Sequence, residues 1–186
     1  MKVQRKPHTT FFPVPPVLVT SQAEGFRPNI ITVAWTGVVN SEPPMVSVSI
    51  RPDRHTYRLI KASGQFVVNI ARADQVREVD LCGVYSGRDT DKFKLTGFTP
   101  VKASRVDVPL IKECPVNLEC VVRQSYLLGS HEIFIGEVVA VHADEEYIDE
   151  HNLIDVAKVN PLAYATPHYW SLGQTLGLYG FTKKEK

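Results

Sequence analysis

Between Asn29 and Thr56 the chain reads NIITVAWTGVVNSEPPMVSVSIRPDRHT, and the polar residues of its second half fall where they could hold an anion. Val46, Val48 and Ile50 alternate with Ser47, Ser49 and Arg51, the period-two pattern of a strand with one apolar and one polar face. Two hydroxyls and a guanidinium then point the same way. His55 and Thr56 follow at the point where the apolar-periodic run TYRLI predicts a helix start. Free backbone N–H groups and the positive end of a helix dipole should lie close to the polar face, a grouping that suits a phosphate. Further on, YSGRDTDKF at residues 85–93 gathers small, hydroxylated and cationic groups, with Lys92 the one most able to reach an anion. Taken alone, such a stretch reads as a solvated loop.

The other chemistry-bearing residues carry less. Cys82, Cys114 and Cys120 form no CxxC pair and are odd in number, so they are expected to be reduced and outside any disulfide framework. Cys120 alternates with Val116, Leu118 and Val122 on one strand face, where a buried inert thiol is the ordinary reading. The six histidines show neither HExxH nor paired ligand spacing, and no metal site is expected. The acidic run Asp144-Glu145-Glu146 reads as a solvated turn. Trp35 has two readings, a core tryptophan or the border of a planar ligand.

The elements that must position these groups are mostly strands. FFPVPPVLVT enters through prolines and becomes a short strand, and Ser21-Gln22-Ala23-Glu24-Gly25 turns it into a second one near Asn29. Residues 30–35 are expected to form a strand buried on both faces, with Gly37 marking a bulge or a close backbone approach. After the turn at residues 41–44 come the Met45 to Arg51 strand, a helix of about ten residues ending at Gly64, and the strand QFVVNI. Asp74 is expected to cap a helix carrying Val76, Val79 and Leu81. Two long strands, near residues 116–128 and 132–142, form a hairpin about Gly129-Ser130. The tail from Pro161 is too irregular for a helix and too aromatic to stay disordered, so it should pack against something. Antiparallel strands with short helices among them point to a mainly β fold, a closed or split β-barrel with helical excursions.

Composition excludes several classes of function. At 186 residues the chain fits a single domain, residues 1–186, able to bury on the order of 70% of its unfolded surface. Lysine plus arginine, at 21, nearly balances aspartate plus glutamate, at 20, so the basic field that supplies nucleic-acid affinity is missing. Apolar runs are short, and MKVQRKPHTT lacks the apolar core of a signal peptide. A cytoplasmic protein with neither nucleic-acid nor membrane partners is expected.

Five segments, PVLVTSQAEGFRPNIITVAW, EPPMVSVSIRPDRHTYRLI, FVVNI, CGVYSGRDTDKF and PLAYATPHYWSLG, occur in this order over nearly the whole chain. Together they resemble the flavin reductase-like proteins, and more narrowly the flavoredoxin-type members, which bind FMN in an antiparallel, Greek-key-like split β-barrel. The resemblance implies a homodimer with one FMN per subunit near the interface and a reduced nicotinamide, NAD(P)H, as the usual electron source. Carried onto this chain, it places Trp35 and Thr36 beside the isoalloxazine, with Gly37 letting the backbone approach. Asn29 belongs to the same cofactor set, and Ser49, Ile50 and Arg51 follow the flavin toward its phosphate. Thr56 and His55 hold the phosphate, Ser86 and Lys92 close the site from the loop, and Tyr169 in the tail helps to cover it. No side chain is expected to be catalytic, because the flavin carries the difficult step and the protein tunes it. Three functions stay open: an FMN-dependent NAD(P)H oxidoreductase, an electron carrier that exchanges electrons with a protein partner, and a flavin-binding protein without turnover. No GxGxxG follows a strand to mark a separate dinucleotide domain.

Overall fold

Residues 1–184 are described by a computed structural model. Its seven-stranded sheet is built from β1 (Val17–Ser21), β2 (Asn29–Val33), β3 (Thr36–Ser41), β4 (Pro44–Ile50) and β5 (Gln65–Ile70), followed by two long strands. After the short pair β6 (Pro100–Val101) and β7 (Leu110–Ile111), the long strands are β8 (Val116–Leu127) and β9 (Glu132–Ala143). The order across the sheet is β2-β1-β5-β8-β9-β4-β3, and every pairing in it is antiparallel. β2 and β3 therefore occupy opposite edges, yet only Ala34 and Trp35 lie between them in sequence. The sheet must curl until its edges meet; at the end of that connection the Ser49 N–H donates to the Trp35 carbonyl at 3.0 Å, carrying the β3–β4 ladder one position further.

Inside the curl pack Val19, Val33, Val48, Ile50, Ile60, Phe66 and Phe134. Gly136 is required there: a Cβ on it would lie 2.5 Å from Phe66 Cζ, and Phe66 is fully buried. Outside the curl a second apolar cluster joins Leu18 and Ile30 to α2 (Val76–Val84) and to Phe93 of α3 (Lys92–Thr96). α1 (His55–Ser63) buries Thr56, Leu59 and Ile60 and ends on Gly64 at φ 67°, as the helix expected to stop there requires. All three cysteines are buried, and burial raises each thiol, Cys82 and Cys120 to about 12. No helix among the described residues is long and apolar enough to cross a membrane.

Several sequence expectations need correction. The stretch from Asn29 to Thr56 holds three strands, because TGVVNS extends into β3, with a register shift between Val38 and Asn40. β2 is not buried on both faces: Ile31 and Thr32 are half-buried and Trp35 is 45% exposed, since this edge borders an open cleft. Asp74 does not cap α2; it pairs with Arg72 at 2.8 Å, within a short 3-10 turn (Ala73–Gln75) that precedes the helix. The stretch expected as loop contains α3, whose cap is Asp91. The tail is also regular, since β10 (Leu162–Ala165) and β11 (His168–Ser171) form a hairpin against the same barrel, with Leu162 and Tyr169 in the outer cluster.

One buried carboxylate fastens a loop to the barrel. Glu119 on β8 is fully buried and accepts from the Ser104, Arg105 and Val106 N–H groups at 2.8, 2.6 and 3.0 Å. The Ser104 hydroxyl also donates to it, and His142 Nε2 lies 2.6 Å away. Burial pushes this carboxyl upward, but the hydrogen bonds from Ser104, His142 and Arg105 outweigh it and hold it at about 2. The folded value lies below that of the unfolded chain, so this stabilisation is present above about pH 4.5 and is lost as pH falls toward 2. Acid unfolding of Glu119→Gln, followed by circular dichroism, should accordingly be less pH-dependent in that window than the wild type's. The variant should also be less stable near neutral pH by about 1.5–3 kcal/mol, because the charge shared by these hydrogen bonds is gone.

Candidate functional site

Where the curled edges meet, the seam opens into a cleft of two connected lobes. The larger, about 420 Å³, is lined by Ile31, Ala34 and Trp35 from the β2 edge, Ser49, Ile50 and Arg51 from β4, and His131 and Tyr164. The smaller, about 280 Å³, is lined by Asn29, His55, Thr56, Ser86, Arg88 and Lys92. Ile31, Arg54 and Gly83 border both lobes, so one elongated ligand could span them.

The smaller lobe gathers Arg54, Arg88 and Lys92 about a helix start, with Asp53 and Asp89 also in its lining. Arg54, the residue before α1, is extended and makes no side-chain cap bond; the Tyr57 N–H donates to the Arg54 carbonyl at 3.2 Å, which leaves the His55 and Thr56 N–H groups at the start of this nine-residue helix for a ligand. Thr56 is fully buried and its hydroxyl accepts from Asn29 Nδ2 at 2.7 Å, so its own proton is free for a second partner. His55 Nδ1 is buried without any partner. Gly87 packs over this group so closely that a Cβ would fall 2.0 Å from Asn29 Oδ1, which leaves glycine alone at that position. The cationic surroundings register on His55, whose pKa is lowered first by burial and then by Arg58, Arg88, Arg27 and Lys92. α1 itself is held by Glu132 on β9, which accepts from the Tyr57 hydroxyl at 2.7 Å and from Lys61 at 2.9 Å.

The larger lobe is flatter and less charged. Trp35 stands on its border with His131, their ring centroids 4.5 Å apart and the planes inclined by 36°. His131 is kept toward its neutral form, first by burial and next by Arg51. An aromatic wall facing the strand-borne Ser49 and Ile50 accommodates a planar heteroaromatic ring.

A family profile described as "Flavin reductase like domain" matches residues 9–173. The chain belongs to this family. Flavoredoxin of Desulfovibrio vulgaris (Miyazaki F) superposes with a TM-score of 0.92 at 34% identity, covering 98% of this chain and all of that one. Flavoredoxin from Methanosarcina acetivorans gives 0.91 at 30% identity, covering 100% of this chain and 99% of that one. An FMN-binding protein from Thermus thermophilus gives 0.83 at 25%, covering 96% of this chain and all of that one. The curled antiparallel sheet with short helices is thus the split barrel of flavin reductase-like proteins.

In this flavin reductase-like chain the seam brings most of the expected residues together. Asn29, His55, Thr56, Ser86 and Lys92 meet in the smaller lobe, and Trp35, Ser49 and Ile50 in the larger. Arg51 lines the larger lobe and not the smaller one that holds His55 and Thr56, whereas Arg54, three residues later, lines both. Thr36 and Gly37 are not brought to either lobe: β3 pairs with β4, the Thr36 hydroxyl donates to the Ser47 carbonyl at 2.6 Å, and a Cβ on Gly37 would meet nothing within 4 Å. Tyr169 is likewise outside the cleft, its hydroxyl donating to Asp80 at 3.2 Å, and Tyr164, opposite it in the hairpin, lines the larger lobe instead. Gly83, His131 and Tyr164 carry no local signal of a site, whereas Arg54 immediately precedes the helix start and Arg88 belongs to the cationic stretch at residues 85–93.

Lys92 gives the smaller lobe a pH dependence. It is 2% exposed and donates to the Cys82 carbonyl at 2.6 Å, and burial is the main cause of its pKa falling to about 8. A bound phosphate would raise that value, so affinity for a phosphate ligand is full below about pH 8 and falls as pH rises through it. Between pH 7 and pH 9.5 the dissociation constant of FMN, measured by fluorescence quenching, should rise about 10-fold, the scale of one charged hydrogen bond. Lys92→Met should bind FMN more weakly at pH 7 and should show no such rise.

Proposed function

We propose that this chain binds FMN across the two lobes and acts as an NAD(P)H-dependent oxidoreductase. The observation that carries the reading is the serial arrangement of an aromatic-walled lobe and a cationic lobe over an uncapped helix start, sized for one ring system and one terminal phosphate. Asn29, Thr56, Arg54, Arg88, Lys92 and the α1 N–H groups would hold the phosphate. Trp35, Ser49 and Ile50 would border the ring, and the buried His55 Nδ1 would gain the partner it lacks. Bound FMN would supply hydride acceptance and the release of electrons singly or in pairs. The protein's share is to orient the ring, exclude water from one face, and place Arg51 and His131 at the rim, where a second ligand would arrive.

A second reading is an electron carrier that exchanges electrons with a protein partner through tightly held FMN. Its support is the 0.92 TM-score and 34% identity to a flavoredoxin over nearly the full length of both chains. A homodimer accompanies either reading. Val38, Leu127, Leu128, Leu172, Leu176 and Leu178 are all exposed in the single chain, apolar side chains that a second copy would cover. Residues 162–171 pack on their own barrel through Leu162 and Tyr169, and Trp170 and the segment directly after Ser171 are exposed.

Purified protein should be yellow and release FMN, not FAD, on denaturation; colourless protein that fails to take up added FMN would sink the reading. Anaerobic mixing of the FMN-bound protein with NADH or NADPH separates the two functions, rapid bleaching marking the oxidoreductase and persistent colour the carrier. Thr56→Ala should weaken FMN binding about 10- to 150-fold, the scale of a hydrogen bond to a charged group, while leaving riboflavin nearly unaffected. Equal losses for both flavins would show that Thr56 does not serve a phosphate.

A further inference from the structure

Tyr164 is fixed through its backbone while its hydroxyl has no hydrogen-bond partner among the described residues. Its N–H donates to the Val14 carbonyl at 2.8 Å, its own carbonyl accepts from the Val14 N–H at 3.0 Å, and across the hairpin it pairs with Tyr169. Leu162, two residues before it, is buried in the outer cluster and ties β10 to the barrel. The two tyrosine rings lie 5.2 Å apart, inclined by 49°. They differ in what they do with their hydroxyls. Tyr169 donates to Asp80 on α2, the helix whose Gly83 borders both lobes. Burial first, and then Asp80, push the Tyr169 phenol up to about 12, so near neutral pH it keeps its proton and this hydrogen bond. Tyr164 borders the larger lobe with its phenol uncommitted.

A hydroxyl held this way serves a ligand better than it serves packing. Phenylalanine would fill the same wall, whereas a phenol adds one hydrogen-bond donor. We propose that Tyr164 contacts the ligand of the larger lobe, donating a hydrogen bond to a ring nitrogen or carbonyl oxygen of the heteroaromatic system bound there, and that Tyr169 and Asp80 are the pair that positions it. This rests on the flavin reading of the cleft. It adds a ring contact from the tail hairpin, roughly 130 residues away in sequence from Trp35 on the opposite wall.

The test compares the wild type with Tyr164→Phe, Tyr169→Phe and the double variant, titrating full-length protein with FMN and with riboflavin and recording the visible spectrum of the bound flavin. Tyr164→Phe should weaken both flavins equally, by about 2- to 10-fold for one neutral hydrogen bond, and should shift the flavin bands. Equal loss separates a ring contact from a phosphate contact. Tyr169→Phe should move affinity and spectrum in the same direction by less, and should add nothing once Tyr164 is already Phe. Unchanged binding and spectrum in Tyr164→Phe overturn the contact, and full additivity in the double variant overturns the positioning pair. A wild-type chain that binds neither flavin removes the flavin reading of the cleft and this inference with it, which no result among the variants alone would do.

Discussion

The whole architecture depends on the shortness of one connection. Ala34 and Trp35 join β2 to β3, strands at opposite edges of a seven-stranded sheet, and the three steps of chain from Val33 to Thr36 span at most about 11 Å. A flat sheet of seven strands spaced about 4.8 Å apart would hold its edges much further apart than that, so the sheet has to curl. The curl forms the core on its inner side and leaves a seam where the edges approach without pairing along their length. A seam of this kind is lined by strand-edge N–H and C=O groups, which makes it a natural place for a polar planar ligand. Fold and site therefore follow from the same constraint.

Charge is distributed to suit that seam. The chain is nearly neutral, with 21 basic and 20 acidic residues, yet Arg27, Arg54, Arg58, Arg88 and Lys92 all lie about the smaller lobe. Elsewhere, buried carboxylates act as fasteners. Glu119 gathers a loop through backbone donors, and Glu132 holds α1 through Tyr57 and Lys61. Both are held at about 2, their hydrogen bonds outweighing the penalty of burial. The second fastener matters for the site, since it sets the direction in which the open end of α1 points.

Much of this was legible from residue order. The period-two pattern of β4, the end of α1 at Gly64 and the β8–β9 hairpin are local features, each set by side-chain alternation or by a residue that tolerates positive φ. The helix start at His55 and Thr56 was legible too, but the polar face of β4 does not join it in one lobe: Ser49 and Arg51 line the larger lobe, and His55 and Thr56 the smaller. β3, α3 and the tail hairpin were not. TGVVNS carries glycine and asparagine and reads as a bulge until β4 is there to pair with it; α3 is five residues long, too short to show a helical period; β10 and β11 are four residues each.

By itself the sequence determined the mainly antiparallel class, the positions of the principal strands and the phosphate-suited cluster around Thr56, because all of these rest on periodicity and on neighbours close in the chain. Only the tertiary structure decided which groups meet across the seam. It placed Arg51 and Tyr164 in the larger lobe, held Thr36 and Gly37 in the β3–β4 pairing, and tied the Tyr169 hydroxyl to Asp80. It also brought His131 from a hairpin turn to face Trp35. The physical reason is that sheet curvature and strand register set contacts between residues far apart in the chain, and a shift of one position moves a side chain to the other face of its strand.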